Sequence, residues 1–134
     1  MTNTNTKTDS YTGVVRTYYD MKQTKLLEEY FMVNGKKEGV YKQYYENGQL
    51  EKKCNMINGK FEGIFKSYYT DGELWRICNY INNNIEGELK EYHDNGHLKK
   101  ECNYINGKRE GEEKIYYING ELEEIKNYIN DVEV

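Results

Sequence analysis

The stretch that decides the fold of this 134-residue chain is YYENGQLEKKCNMINGKFEG, residues 44–63. It contains two Asn-Gly pairs, Asn47-Gly48 and Asn58-Gly59, separated by a segment of strand length. An Asn-Gly pair flanked by alternating apolar positions is the strongest local signal for a β-hairpin turn. The stretch therefore predicts one strand with a tight turn at each end.

The same pattern returns along the chain every 24 residues. Glu-Gly recurs at 38–39, 62–63, 86–87 and 110–111, the first turn at 47–48, 71–72, 95–96 and 119–120, and the second turn at 34–35, 58–59, 82–83, 106–107 and 130–131. An earlier copy begins at Gly13 and fits if its first turn, residues 20–25, has two extra residues. A fixed period of this kind indicates a repeat architecture. It predicts an all-β, open, twisted antiparallel meander of about five hairpins and ten strands over residues 10–134, preceded by a disordered polar tail, residues 1–9.

The register follows if both turns have two central residues. Tyr45 then pairs with Leu50, and Cys54 pairs with Tyr41 on one side and Gly63 on the other. The period is even, so each residue column stays on one face of the sheet. One face, here the cysteine face, is predicted to be more buried and carries the Leu50, Cys54, Met56 and Gly63 columns. Gly63, Gly87 and Gly111 are expected opposite Tyr80, Tyr104 and Tyr128, whose rings would lie over bare backbone. The other, here the Tyr/Lys face, carries the columns of Tyr44 and Lys42.

Composition and charge exclude several classes of partner. The chain has 15 Tyr, 12 Gly and no Pro, a net charge of -4 and a pI of about 5.3. An acidic chain without a basic run is a poor ligand for nucleic acid or anionic lipid. No apolar stretch approaches the roughly 18 residues of a membrane helix. We therefore expect a cytoplasmic protein that binds neither nucleic acid nor membrane lipid.

The residues capable of metal or acid–base chemistry fit structural columns. Cys54, Cys78 and Cys102 lie two strands apart, roughly 9–10 Å, which is too far for a disulfide or a shared zinc ion. His93 replaces a tyrosine in its column, and His97 follows a turn and should be solvated. A metal site of both histidines with Asp94 is the alternative. Without a phosphate loop, a nucleophile elbow or an H-E-x-x-H motif, we predict no enzyme activity, catalytic residue, metal or cofactor.

The repeat NGKKEGVYKQYYENGQLEKKCNMINGKFEG, residues 34–63, resembles the MORN-type repeat. The resemblance is to the divergent variant of bacterial and giant-virus proteins, some of which are labelled antitoxin-like, and covers about residues 11–131. It implies an elongated, twisted single sheet used as a scaffold or binding surface, and no enzyme. The better-known MORN form is linked to membranes, but this acidic chain departs from its Gly-rich pattern.

The leading functional hypothesis is a non-catalytic scaffold that binds a protein partner on the Tyr/Lys face. Tyr and Trp are favoured at protein contacts, and Trp75 is expected opposite Tyr68. The candidate binding residues are Tyr44, Tyr68, Trp75, Lys42, Lys66 and Tyr92. Alternatively, the rings only cover the sheet from water. Lys42 opposite Lys53 favours an acidic partner.

Three other functions stay open. One is a peripheral membrane adaptor, which would sediment with acidic liposomes, a result that we do not expect. The chain could be an antitoxin-like inhibitor of a toxic partner. It could also be a structural protein that assembles with itself, through a face or through residues 122–130, which are predicted to form an unpaired edge strand.

Overall fold

A computed structural model describes residues 10–134 as a single antiparallel β-sheet. The predicted tail, residues 1–9, lies outside the described residues. The strands are β1 Gly13–Tyr18, β2 Leu26–Val33, β3 Lys36–Tyr44, β4 Leu50–Ile57, β5 Lys60–Phe61, β6 Gly63–Tyr68, β7 Leu74–Ile81, β8 Asn84–Ile85, β9 Gly87–Tyr92, β10 Leu98–Ile105, β11 Lys108–Arg109, β12 Gly111–Tyr116, β13 Leu122–Ile129 and β14 Val132–Glu133. Within residues 10–134 there is no helix long and apolar enough to cross a membrane.

The strands follow one another across the sheet as predicted. The order is β1-β2-β3-β4-β6-β7-β9-β10-β12-β13-β14, with β5, β8 and β11 paired to β4, β7 and β10. The four two-residue strands are short pieces next to second turns, and the other ten are the long strands of a meander. The prediction of an open meander of about ten strands is confirmed.

The second turn of each repeat has the predicted geometry. Asn58 and Gly59 have φ angles of 53° and 79°, so both central residues are left-handed, as a type I′ turn requires. Ile57 consequently pairs with Lys60. Asparagine tolerates the left-handed region better than most residues and glycine adopts it freely. This explains why the pair recurs here.

The first turn differs from the prediction by one residue. The Gly48 amide donates to the Tyr45 carbonyl at 3.0 Å, and the Tyr45 amide donates to the Gln49 carbonyl at 2.8 Å. The loop therefore has three residues, with Gly48 left-handed at its end. The predicted Tyr45–Leu50 pair is wrong, because Leu50 pairs with Tyr44.

A β-bulge restores the register beyond this turn. The ladder shifts between Gln43 and Tyr44, which leaves Glu51 as the extra residue, and Tyr41 pairs with Cys54 as predicted. The leucine column was therefore assigned to the wrong face. Leu50, Leu74, Leu98 and Leu122 pair with tyrosines of the Tyr/Lys face.

The Glu-Gly columns form a second irregularity. Beyond Gly63 the ladder has moved by two residues, so that Lys52 pairs with Ser67 and the predicted pairing of Cys54 with Gly63 is wrong. Gly63 pairs with Tyr80 as predicted, but a Cβ atom at Gly63 would meet no atom within 4 Å. The glycines therefore do not serve as platforms for aromatic rings. They are required because their φ angles are about +80°.

The buried residues all lie on the cysteine face, as predicted. Tyr41, Cys54 and Met56 form one cluster, and Cys78, Leu89 and Cys102 form a second. Half-buried aromatic rings, including Phe61, Phe65 and Tyr80, cover these clusters. A single sheet has no second layer, so this shallow cover is the core of the protein.

Two repeated hydrogen bonds fix the hairpins, one between the two ends of each hairpin and one from each hairpin to the next. The glutamate of each Glu-Gly pair accepts the amide at the following second turn at 2.7–2.8 Å, as Glu62 does from Asn82. Tyr69 donates its hydroxyl to the Tyr92 carbonyl at 2.6 Å. Tyr19 and Tyr45 make the same bond, and Tyr19 closes a first turn two residues longer than the others, as predicted for the earlier copy.

The unpaired part of the last long strand, β13, is shorter than predicted. Residues 122–130 were expected to be unpaired on their outer side, but Ile129 pairs with Val132 and Tyr128 pairs with Glu133. The chain turns back at Asn130 and Asp131, which have left-handed φ angles like the earlier Asn-Gly pairs.

Candidate functional site

The three cysteines are structural. Cys54, Cys78 and Cys102 are free and buried, with exposures of 3–5%. Burial raises the pKa of each thiol to about 11, because the charged thiolate is poorly solvated there. A thiol with so high a pKa is a poor nucleophile at neutral pH.

Because of these thiols, we expect the stability of the fold to decrease as the pH rises in the alkaline range. The unfolded thiols lose their protons near pH 8.5, whereas the folded ones keep them to about pH 11. The free energy that these thiols contribute to stability is fully present below the pKa of the unfolded thiols. It is lost as the pH rises through the pKa of the folded ones. We therefore expect urea midpoints to fall between pH 8 and pH 10. Replacement of Cys78 by valine should make this fall shallower, and an unchanged slope would contradict the assignment.

The two histidines have separate roles. His93 lies in the tyrosine column, and its Nε2 is 2.9 Å from the Tyr116 carbonyl, the same contact that Tyr69 makes to Tyr92. His97 is exposed, as predicted. Within residues 10–134, no group of three or more His, Cys, Asp or Glu side chains is placed to hold a metal ion.

Trp75 does not lie where the sequence predicted. Leu74 pairs with Tyr68, and Trp75 is the extra residue of the bulge. Its ring packs on Tyr69, with centroids 6.4 Å apart, and under the Arg76 guanidinium at 4.7 Å. Arg76 in turn binds the buried Glu91. Trp75 is therefore on the cysteine face, away from the other five candidate binding residues.

Those five residues stay together on the Tyr/Lys face. Lys42 and Lys66 lie in one row that crosses the strands, and Tyr44, Tyr68 and Tyr92 lie in the next. All five side chains are partly exposed. They form the candidate interaction surface.

The sequence reasoning missed the full extent of the lysine row. Lys42 pairs with Lys53 as predicted, but Lys53 also pairs with Lys66. The expected register at the second turn had placed Lys53 opposite Ile64. The three lysines therefore stand side by side on adjacent strands. Within residues 10–134, none of the three forms an ion pair, although Glu29 lies opposite Lys42 and binds Arg16.

A shallow depression of about 370 Å³ lies beside these lysines. We call it the basic depression; its side chains include Val40, Lys53, Ile64, Lys66 and Tyr68. Val40 and Ile64 are 49% and 53% exposed and lie together on this face beside the lysines. An exposed apolar patch bordered by cations can bind a partner that carries carboxylates.

The same face has an equivalent depression 48 residues further along the chain, of about 270 Å³. We call it the acidic depression; its side chains include Glu88, Glu101, Glu112 and Lys114. Its charges are satisfied internally, because Lys114 binds Glu112 at 3.6 Å and Tyr116 donates to Glu101 at 2.7 Å. A hydrogen bond to Glu88 also raises the pKa of Lys90.

Comparison with known families agrees with the repeat geometry. The model of the MORN repeat variant matches residues 37–58, 61–82, 85–106 and 109–130, more than half of the chain. The chain belongs to the MORN repeat variant family. MORN repeats are commonly protein-interaction or membrane-binding modules.

Two solved structures of TarM match part of this chain. The crystal structure of TarM has a TM-score of 0.45 and 15% identity, covering 74% of this chain and 19% of TarM. A point mutant of S. aureus TarM, in complex with fondaparinux, alpha-GlcNAc-glycerol and UDP, has a TM-score of 0.46 and 14% identity, covering 78% and 22%. The chain thus spans about a fifth of the length of these proteins. No curated protein sequence matches it significantly.

Proposed function

We propose that this MORN repeat protein is a non-catalytic scaffold that binds a protein partner on its Tyr/Lys face. The observation that carries the proposal is the row of three lysines, which form no ion pair within the described residues 10–134, beside exposed Val40 and Ile64. Such a surface suits a partner with carboxylates and apolar side chains. On the cysteine face, aromatic rings pack over the buried clusters. The Tyr/Lys face is therefore the one available to a partner.

The repeated columns support a non-catalytic role. The cysteines are buried, His93 bridges two repeats, and the Glu-Gly glutamates accept turn amides. Each of these groups therefore has a structural task in every hairpin that carries it.

The tyrosines of this surface provide the test. In an affinity capture from the native source, wild-type protein should retain a partner that the Tyr44→Ala/Tyr68→Ala double variant loses. Removal of two large interfacial rings typically weakens binding by about 2 kcal/mol or more, which is roughly thirtyfold.

Trp75→Ala is the matched control, since it removes an aromatic ring from the cysteine face of the same hairpin. It should retain the partner, provided that circular dichroism shows all variants to be folded. The proposal is wrong if the double variant retains the same proteins as wild type, or if wild type retains none.

A further inference from the structure

The cysteine face has a cavity of about 320 Å³ that spans strands β3 to β7. Its lining includes Phe61, Phe65 and Tyr80, whose ring centroids lie 5.2–5.6 Å apart. Lys37 and Lys52 also line it, and among the described residues 10–134 no carboxylate does. The cavity therefore combines aromatic rings with two cations.

Both lysine side chains are directed towards the buried residues under the cavity. The Nζ atom of Lys37 lies 4.3 Å from the centroid of the Tyr30 ring and 4.6 Å from that of Tyr41. Burial raises the pKa of the Cys54 thiol, and the positive charges of Lys52 and Lys37 oppose that rise. Both charges therefore act on the same thiol, and one anion in the cavity can interact with both.

The later repeats show what Lys52 lacks. Its equivalents in the next two repeats are Arg76 and Lys100, and both bind Glu91. The residue equivalent to Glu91 one repeat earlier is Ser67, which pairs with Lys52. Lys52 therefore stands where the same fold elsewhere provides a carboxylate.

Lys37 differs from its equivalent in the same way. Arg109 occupies that position in the last repeat and binds Glu113 and Asp131. The residue equivalent to Glu113 is Tyr41, whose ring lies under Lys37. Within residues 10–134, neither lysine of the cavity forms an ion pair.

The carboxylate of Glu28 does not fill this gap. Glu28 lies two strands from Lys52, with Gln43 between them. It accepts hydrogen bonds from Thr17 and Tyr41. An anion that enters the cavity would therefore meet two cations that lack the ion pairs of their equivalents.

We propose that this cavity binds a small aromatic carboxylate from solution. The ligand's rings would lie against Phe61, Phe65 and Tyr80, in the edge-on or offset contacts that aromatic groups prefer. Its carboxylate would lie between Lys37 and Lys52, in the role that glutamates have in the later repeats. Ligand pockets range from about 300 to 1,000 Å³, so this cavity suits a ligand of one or two rings. The site is independent of the proposed protein-binding surface, which is on the opposite face.

Sodium naphthoate, a two-ring aromatic carboxylate, is the probe. It is titrated into isotope-labelled wild-type protein to about 5 mM, above the Kd of about 1 mM or less expected for a ligand of this size. NMR should show the largest amide shifts on β3 to β7. Naphthylmethylammonium has the same rings with the opposite charge, and it should bind at least about tenfold more weakly because both lysines repel it.

Ser67→Glu supplies the carboxylate that the next repeat has at Glu91. The new side chain should pair with Lys52 and weaken naphthoate binding at least about fivefold. Lys52→Gln removes one cation and should weaken it about fivefold. Phe61→Ile copies Ile85 of the next repeat and should weaken it about threefold, because ring contacts are lost.

Lys100→Gln is the matched control, since Lys100 is in the same column but its charge is already bound by Glu91. Its Kd for naphthoate should stay within about twofold of wild type. Circular dichroism shows which variants are folded, and Ser67→Glu and Lys52→Gln each test the site without the other. The proposal is overturned if folded wild type does not bind naphthoate at the highest concentration, or if naphthylmethylammonium binds equally well. Wild-type affinity in a folded Ser67→Glu or Lys52→Gln variant would also overturn it.

Discussion

Replacement of Leu89 by alanine should lower the free energy of unfolding by about 2–4 kcal/mol. Leu89 is 2% exposed and packs on Cys78 and Cys102, so its removal leaves a cavity in the second buried cluster. The effect should be large because the nearly complete burial of Leu89 means that almost all of its side-chain packing is lost. Urea unfolding monitored by circular dichroism measures it.

Ile105→Ala is the matched control for this prediction. Ile105 is also a large aliphatic residue in a strand, but it is 50% exposed. Its replacement should cost less than about 1 kcal/mol. Equal losses for the two variants would show that the cysteine face is not the core.

Replacement of Gly87 by valine should destabilise the protein by about 2–3 kcal/mol. Gly87 has a φ of 84°, a region that costs an ordinary residue about 1–2 kcal/mol and a β-branched residue more. A Cβ atom there would meet nothing within 4 Å, so backbone strain is the only source of the loss. The change in urea midpoint gives its size.

Gly87→Asn separates this explanation from one based on packing. Asparagine adopts left-handed angles more readily than other non-glycine residues, so it should cost about 1 kcal/mol or less. If the Tyr104 ring covered bare backbone at Gly87, any side chain there would be harmful. Equal losses for valine and asparagine would therefore support ring packing and contradict the left-handed requirement.

Much of the fold could be predicted from the sequence because the same turn residues recur at a fixed period. The period locates every strand, and the left-handed preference of Asn and Gly locates every turn. Within each hairpin, the predicted register beyond the first turn was also right, although the two-residue turn from which it was derived was wrong. The loop has one residue more than expected, and the bulge at Glu51 takes up one residue, so the two effects cancel by Cys54.

The candidate site was less predictable because it lies where those bulges act. A bulge reverses the face of the residues between it and the turn, which moved Leu74 to the Tyr/Lys face and Trp75 away from it. The Glu-Gly irregularity shifts the ladder by two residues and brings Lys66 beside Lys53. A sequence shows that a strand has an extra residue only when the partner strand and its register are already known.

Lysine acetylation footprinting tests most directly whether the Tyr/Lys face is the binding face. Acetylation rates are compared between the free chain and the complex isolated by capture. The account predicts that Lys42, Lys53 and Lys66 become protected in the complex, whereas Lys52 on the cysteine face reacts at its free rate. Protection of Lys52 with unchanged rates at the other three would contradict it.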